Sequence, residues 1–247
     1  MMTKDIVQLV READLVLVGI GEEFEDYRTL KKIEGYEVHC AWLEESNQAE
    51  NIPAYNRELL KQSDSKVYKA LEQLAQLLEG KNYFVVSVTT NDILADSSLK
   101  QDRIVMPCGG SRMLQCSSGC KEALQSVLDE DGKMRDVENG VCPVCGAPLV
   151  YNNIYSQNYD ENGYLDRWQL YTKWLQGTLF RKLCILELGV GMQCPSVIRF
   201  PFEKAGYFNQ KASFVRVNAH LYQMTSELGD RGISVPCNAI DWLTEEC

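Results

Sequence analysis

The chain has 247 residues, 35 acidic against 25 basic side chains, and 45% hydrophobic residues, enough for one sizeable domain with an insertion or for two lobes. The acidic balance, with no Lys or Arg run interleaved with aromatics, argues against a nucleic-acid surface. Apolar runs as short as Leu15-Val16-Leu17-Val18 argue against a membrane span.

Asp5 to Ala13 places Ile6, Leu9, Val10 and Ala13 on one helical face. Leu15 to Ile20 follows as a buried strand with glycines at Gly19 and Gly21, the entry of a doubly wound sheet. Glu22 to Ser63 is irregular and polar, with Tyr27, Tyr36, Trp42 and Tyr55 spread through it, and reads as a helical insertion over the sheet. Val67, Leu71, Leu74, Leu77 and Leu78 predict an amphipathic helix closed by Gly80. The β-branched and aromatic run Tyr83 to Val88 predicts a strand that delivers Thr89-Thr90-Asn91 to its carboxyl end. A short strand, Arg103 to Met106, delivers Pro107-Cys108-Gly109-Gly110.

Two tight cysteine pairs follow, Cys116-Ser117-Ser118-Gly119-Cys120 and Cys142-Pro143-Val144-Cys145. Each brings two sulfurs onto one turn, and together they make a closed four-thiolate zinc site. Four protein ligands leave no position for a catalytic water, so the metal reads as structural, a disulfide or redox pair being the alternative. The polar segment Lys121 to Val141, ending in Glu138-Asn139-Gly140, is expected to loop out without a core of its own. Met1-Met2-Thr3-Lys4 opens no signal peptide, so a cytoplasmic chain with reduced thiols is expected. Cys40, Cys184, Cys194, Cys237 and Cys247 lack ligand spacing and are expected in packing or at the surface.

Beyond the cysteines, a helix is predicted around Leu165 to Leu175 and a continuous apolar strand from Leu183 to Leu188, running into Gly189-Val190-Gly191. Pro195 to Phe202 begins another helix, and Ala212 to Val217 is predicted as the last strand, ending at Asn218. The alternation specifies an α/β fold: a Rossmann-like, mostly parallel sheet with helices on both faces, plus a small zinc-binding lobe. The large domain is assigned to 1–110 and 180–247, with the helical insertion at about 22–63, and the small lobe with its connecting helix to 111–179. Ligands of such sheets bind at the carboxyl ends of the strands, where the glycine-rich and polar signals lie.

Taken in order, Gly19-Ile20-Gly21, Thr89-Thr90-Asn91, Cys108-Gly109, the two cysteine pairs, Gly189-Val190-Gly191 and Asn218 resemble the sirtuin family of NAD-dependent protein deacylases and ADP-ribosyltransferases. The likeness runs from about Asp5 to the C-terminus. Gln115-Cys116-Ser117, with three residues inside the first cysteine pair, looks most like the microbial sirtuins linked to macrodomain proteins, as do Glu187-Leu188-Gly189-Val190-Gly191-Met192 and Phe200-Pro201-Phe202. Members of that branch act as protein ADP-ribosyltransferases, some on lipoylated carrier proteins.

The resemblance implies NAD in a cleft between the large domain and the zinc lobe, contacted by Gly19, Gly21, Thr90, Asn91, Gly189, Val190, Gly191 and Asn218. It implies Asn91 and Cys108 as catalytic residues, Cys116, Cys120, Cys142 and Cys145 as zinc ligands, and a protein acceptor, a lipoylated carrier protein among the candidates. Physics supports the outline, because a glycine-tight turn lets backbone amides approach a pyrophosphate.

Three departures from the family pattern stand out. Glu22-Glu23 replaces the segment that holds the family's serine, and two carboxylates oppose a pyrophosphate unless they point away. Asp26-Tyr27-Arg28 is similar to the family's D-F-R segment, which would bring Arg28 toward the phosphates; chance occurrence is the alternative. Asn91 is kept from the N-x-D motif, where it can orient the ribose and an attacking group, but Ile93 takes the aspartate position and Asp92 comes one place early. The position of the family's histidine base falls on Cys108, which as a thiolate needs a lowered pKa and some exposure, the bland alternative being a small apolar filler.

ADP-ribosyl transfer tolerates these losses better than deacylation, which also needs a base to finish its intermediate. Two readings follow: an NAD-consuming transferase or deacylase, or a degenerate sirtuin that binds a nucleotide or a protein without turnover.

Overall fold

The computed structural model describes residues 4–128 and 140–247. Helix α1 (Lys4–Glu12) turns Ile6 and Val10 onto the sheet and leads into β1 (Leu15–Ile20), buried at all six positions. A helical cover follows, of α2 (Tyr27–Leu30), α3 (Tyr36–Glu45) and α4 (Ile52–Gln62). Next come α5 (Val67–Leu77), which buries Val67, Ala70, Leu71 and Leu74, then β2 (Asn82–Ser87) and β3 (Ile104–Val105). Three strands belong to a second sheet: β4 (Gly109–Cys116), β5 (Gln125–Ser126) and β6 (Leu149–Asn153). The chain returns through α6 (Asn162–Gln176), β7 (Leu183–Leu188), α7 (Arg199–Phe208), β8 (Ser213–Val217), β9 (Gly232–Val235) and α8 (Ala239–Leu243).

Among the described residues the large sheet runs β3-β2-β1-β7-β8-β9 with every neighbour parallel. From β1 the chain works outward to β2 and β3, then crosses back to β7 and works outward on the other side. The β1–β7 seam is therefore the topological switch point, where ligands of open parallel sheets bind. Strand pleat divides the buried side chains between two cores. Val16, Val18 and Ile20 face α1, α5 and α8, whereas Leu15 and Leu17 face Tyr171 of α6 and Phe202 of α7. At the β7–β8 rungs Glu187 lies opposite Arg216, and the two, both buried, are joined at 2.6 and 3.0 Å.

Three expectations are corrected and one element is added. Val217 does not end the last strand of the sheet, because β9 pairs beyond β8; its four residues are half-buried at most and offer no apolar run to read. The small lobe is an antiparallel sheet of order β5-β4-β6, unseen in the sequence because Ser111, Arg112 and Gln115 break the apolar pattern of β4. The described beginning of the segment Lys121 to Val141 is not free of the core: Ala123 and Val127 pack with Leu114, Cys116, Cys142 and Leu149. Glu138 and Asn139, the expected turn of that segment, lie outside the described residues. Cys237 and Cys247, expected singly in packing or at the surface, are linked to each other, with Cα atoms 6.2 Å apart. Among the described residues no helix is long and apolar enough to cross a membrane.

Candidate functional site

The four cysteines of the two pairs converge, their sulfurs all within 4.8 Å of one another. Cys116 ends β4, and Cys142 and Cys145 sit on the turn that leads to β6. In each turn a backbone N–H donates to the first sulfur, Ser118 to Cys116 at 3.3 Å and Val144 to Cys142 at 3.4 Å. The backbone N–H groups of Cys120 and Ser118 draw the Cys116 thiol down to about 6. Hydrogen bonding to Cys145, with burial, drives Cys120 the other way, up to about 12. Four thiols this close cannot all ionise without a cation, and a divalent ion resolves that conflict. The donor set fits zinc, with every ligand position taken by the protein.

At the switch point the two glycine turns pack on each other. Gly21 N–H donates to Leu188 O at 2.9 Å and Glu23 N–H to Gly189 O at 3.2 Å. A Cβ on Gly21 would run into the backbone of Val190, and one on Gly189, where φ is +64°, would lie 2.6 Å from the Glu23 Cβ. Gly19 lies inside β1 and makes room for Ile198 and Phe202 beside α7. Asn218 braces the seam: its Nδ2 donates to Val190 O at 3.1 Å, and its Oδ1 accepts from His220 and Leu221 N–H at 2.9 and 2.7 Å.

The two carboxylates turn into this seam. Glu22 accepts from Gly191 N–H at 2.5 Å and Gln193 N–H at 3.1 Å. Glu23 accepts from Ala219 N–H at 2.8 Å and from Ala239 N–H, at the start of α8, at 2.6 Å. Burial pushes the Glu23 carboxyl up from its ordinary range, against those two donors. Strand-end amides are anion sites by geometry, and here the chain supplies the anions. Arg28 does not reach the seam; it forms a fork onto Asp241 at 2.7 and 3.0 Å and reaches Asn238 at 2.8 Å.

Beside the seam, at the end of β2, lies a buried polar cluster. Thr90 donates its N–H and hydroxyl to Glu25 Oε1 at 2.6 and 3.1 Å, and Asn91 Nδ2 donates to Phe24 O at 3.2 Å. Two acceptors are left without partners there, Glu25 Oε2 and Asn91 Oδ1. Burial raises the Glu25 carboxyl to about 7 despite the Thr90 donors, with the Asp92 charge adding to the rise. Asp92 is committed elsewhere: it accepts from the Ser111 N–H and hydroxyl and so pins the start of β4. Ile93, at the aspartate position of the N-x-D pattern, is buried in the core.

Cys108 lacks what a thiolate base needs. It is 2% exposed, and burial beside Cys194 carries its thiol well above the ordinary cysteine range. Its sulfur lies 3.8 Å from that of Cys194. The bland reading, a small buried filler, describes its ionisation state better than the catalytic one.

The structure thus gathers Gly21, Gly189, Val190, Gly191 and Asn218 at one seam, and Thr90 and Asn91 beside it, while Gly19 serves helix packing. Two participants were missed in the sequence. Glu25 was hidden in an acidic run that reads as solvent-facing, and Cys194 carried no spacing signal. A groove of about 650 Å³ lies at the opposite, amino ends of β1 and β7, lined by Leu9, Ala13, Lys182 and Leu183, where parallel sheets do not place their ligand sites.

The residues match the two ends of a dinucleotide unequally. The orphaned acceptors Asn91 Oδ1 and Glu25 Oε2 suit hydrogen-bond donors of a ribose or carboxamide, whereas the amides suited to a pyrophosphate are capped by Glu22 and Glu23 in this arrangement.

No protein-family model matches the chain. It is 21% identical over 254 residues to a Staphylococcus aureus protein named protein ADP-ribosyltransferase, covering 91% of this chain and 80% of that one. Among solved structures it superimposes on Sir2Tm bound to a propionylated peptide with a TM-score of 0.59 at 14% identity, covering 99% of this chain and 97% of that one. A sirtuin structure addressing substrate affinity matches with a TM-score of 0.56 at 14% identity, over 99% and 97% of the two chains. A Sir2 complex with an inhibitor, 2'-O-acetyl-ADP-ribose and a deacetylated p53 peptide gives 0.55 at 14% identity, over 98% and 96%. At such coverage and low identity the common property is architecture: this chain has the sirtuin fold and is sirtuin-like.

Proposed function

We propose that the chain is an NAD-consuming enzyme of the sirtuin type that acts as a protein ADP-ribosyltransferase, with zinc holding its small lobe. The observation that carries the reading is the orphaned pair Asn91 Oδ1 and Glu25 Oε2, buried at the carboxyl end of β2 beside the switch point. Unsatisfied buried acceptors are costly, and a ligand that donates to them recovers the loss. The relative named protein ADP-ribosyltransferase and the neighbours holding an acylated peptide or 2'-O-acetyl-ADP-ribose agree with it.

NAD supplies an ADP-ribosyl group, released as nicotinamide departs. Asn91 orients the ribose, and Glu25, when ionised at pH above about 7, places negative charge where positive charge develops on the sugar. Glu22 and Glu23 must leave their four amides before the phosphates bind. The acceptor is a protein, with a lipoylated carrier protein as the first substrate to try, in the cytoplasm.

The test is nicotinamide release from NAD by the purified full chain, with a cell extract and with a lipoylated carrier protein as acceptors. Turnover that disappears in Asn91→Ala supports the reading; none with any acceptor counts against it.

The carboxylates on the strand-end amides favour a second reading, a module that binds nucleotide or a partner without turnover. Stabilisation by NAD without nicotinamide release supports that one.

A further inference from the structure

Cys108 and Cys194 come from different walls of the strand-end region. Cys108 lies in the turn between β3 and β4, at the root of the zinc lobe, and Cys194 in the loop from Gly191 to α7. They are 86 positions apart in sequence, yet their sulfurs are 3.8 Å apart. A disulfide needs about 2.05 Å, so the sulfurs must approach by about 1.8 Å, within reach of side-chain rotation and a small shift of the Cys194 loop. The two thiols differ in access: Cys108 is buried and Cys194 partly exposed.

We propose that Cys108 and Cys194 form an oxidisable dithiol that closes to a disulfide on reaction with a hydroperoxide, tying the root of the zinc lobe to the β7–α7 loop. Cys194, the accessible thiol, attacks the peroxide oxygen. The O–O bond breaks, an alcohol (water, for hydrogen peroxide) leaves with the thiol proton, and Cys194 becomes a sulfenic acid. Cys108 then attacks the Cys194 sulfur. The S–O bond breaks, and the oxygen leaves as water with the Cys108 proton. Two thiols lose two electrons and one hydroperoxide is reduced. Burial, which makes Cys108 a poor first nucleophile, also keeps on it the proton that the leaving oxygen requires.

The crosslink spans the switch point. Cys194 lies next to Gln193, whose N–H is held by Glu22, and Cys108 precedes Gly109, which packs on Asn152 and Asn153 of β6. Oxidation therefore fixes the separation of the two walls between which a ligand must enter, and reduction releases it.

The experiment uses the zinc-loaded full chain. It is exposed to hydrogen peroxide, quenched, unfolded in the presence of an alkylating agent and digested, and its peptides are weighed, with zinc release followed in parallel. The expected product is the Cys108 peptide joined to the Cys194 peptide, lighter by two hydrogens than their sum, formed before zinc is lost and reversed by dithiothreitol. It is absent in Cys194→Ser, where Cys108 stays open to alkylation after unfolding. Cys194 proceeding to sulfinic acid while Cys108 remains free, or either cysteine joining Cys40 instead, overturns the proposal. No NAD enters this measurement, so its failure is distinct from failure of the proposed activity.

Discussion

Glu22 and Gly191 meet across the switch point, the carboxylate from the end of β1 accepting the backbone N–H of the turn that follows β7. With Glu23 on Ala219 and Ala239, the chain places its own negative charge on amides that a phosphate would otherwise hold. Replacing both residues by alanine frees four donors and removes two like charges. Calorimetric titration with ADP-ribose should then show at least about tenfold tighter binding, roughly 1.4 kcal/mol. Equal affinities in the variant and the original chain would show that the carboxylates do not guard the site.

The four-cysteine cluster should hold one zinc per chain. Chelation, or Cys142→Ser, should release the small β4–β5–β6 sheet, whose core is only a handful of side chains around Leu114 and Leu149. Hydrogen exchange should then rise in β4 and β6 while β1 and β7 stay protected. Uniform protection after the metal is removed would contradict a structural role.

Glu25 makes stability depend on pH in an unusual direction. Its folded value of about 7 lies above the ordinary 4.5, so the unfolded chain gives up the proton first and stability falls as pH rises between those values. The groups facing it are Thr90, the Asn91 backbone N–H, Asp92, Tyr27, Tyr36, Tyr155 and Cys108. Urea unfolding at about pH 5.5 and about pH 8 should show the original chain losing about 2 kcal/mol that Glu25→Gln does not lose. Parallel pH curves for the two proteins would reject the assignment.

Glu187 and Arg216 are both nearly free of solvent, and Glu203 adds a third contact to the guanidinium at 2.8 Å. Truncating Arg216 to alanine leaves the buried Glu187 charge only its weaker partner Arg199, at 3.4 Å, and costs up to about 3 kcal/mol. Replacing both by apolar residues of similar volume should cost far less. Denaturant midpoints of the single and double variants provide the comparison, and additive losses would argue against coupling.

Legibility in the sequence followed local signal strength. β1 and β7 are legible to the residue because each is a largely apolar run bounded by glycine or charge, broken in β7 only by Glu187, as strands buried on both faces are. The four-cysteine cluster is readable because its geometry is carried by spacing along two short turns. Helix α7 begins at Arg199 rather than near Pro195, because residues 195–198 are drawn into the loop that carries Val190 and Cys194. β9 was invisible, since a half-exposed edge strand needs only a neighbour's hydrogen bonds and no apolar run.

Sequence alone determined the parallel sheet, the strand-end placement of Asn91 and Gly189, and the metal-ligand set, because each depends on residues near one another in the chain. Tertiary structure decided what those strand ends hold. Whether Glu22 faces solvent or Gly191, whether Glu25 is ionised in water or buried beside Thr90 and Asn91, and whether Cys108 is alone or against Cys194 all depend on segments from 65 to 169 residues away in sequence. Burial and charge at such contacts are properties of the packed arrangement, and no local pattern encodes them.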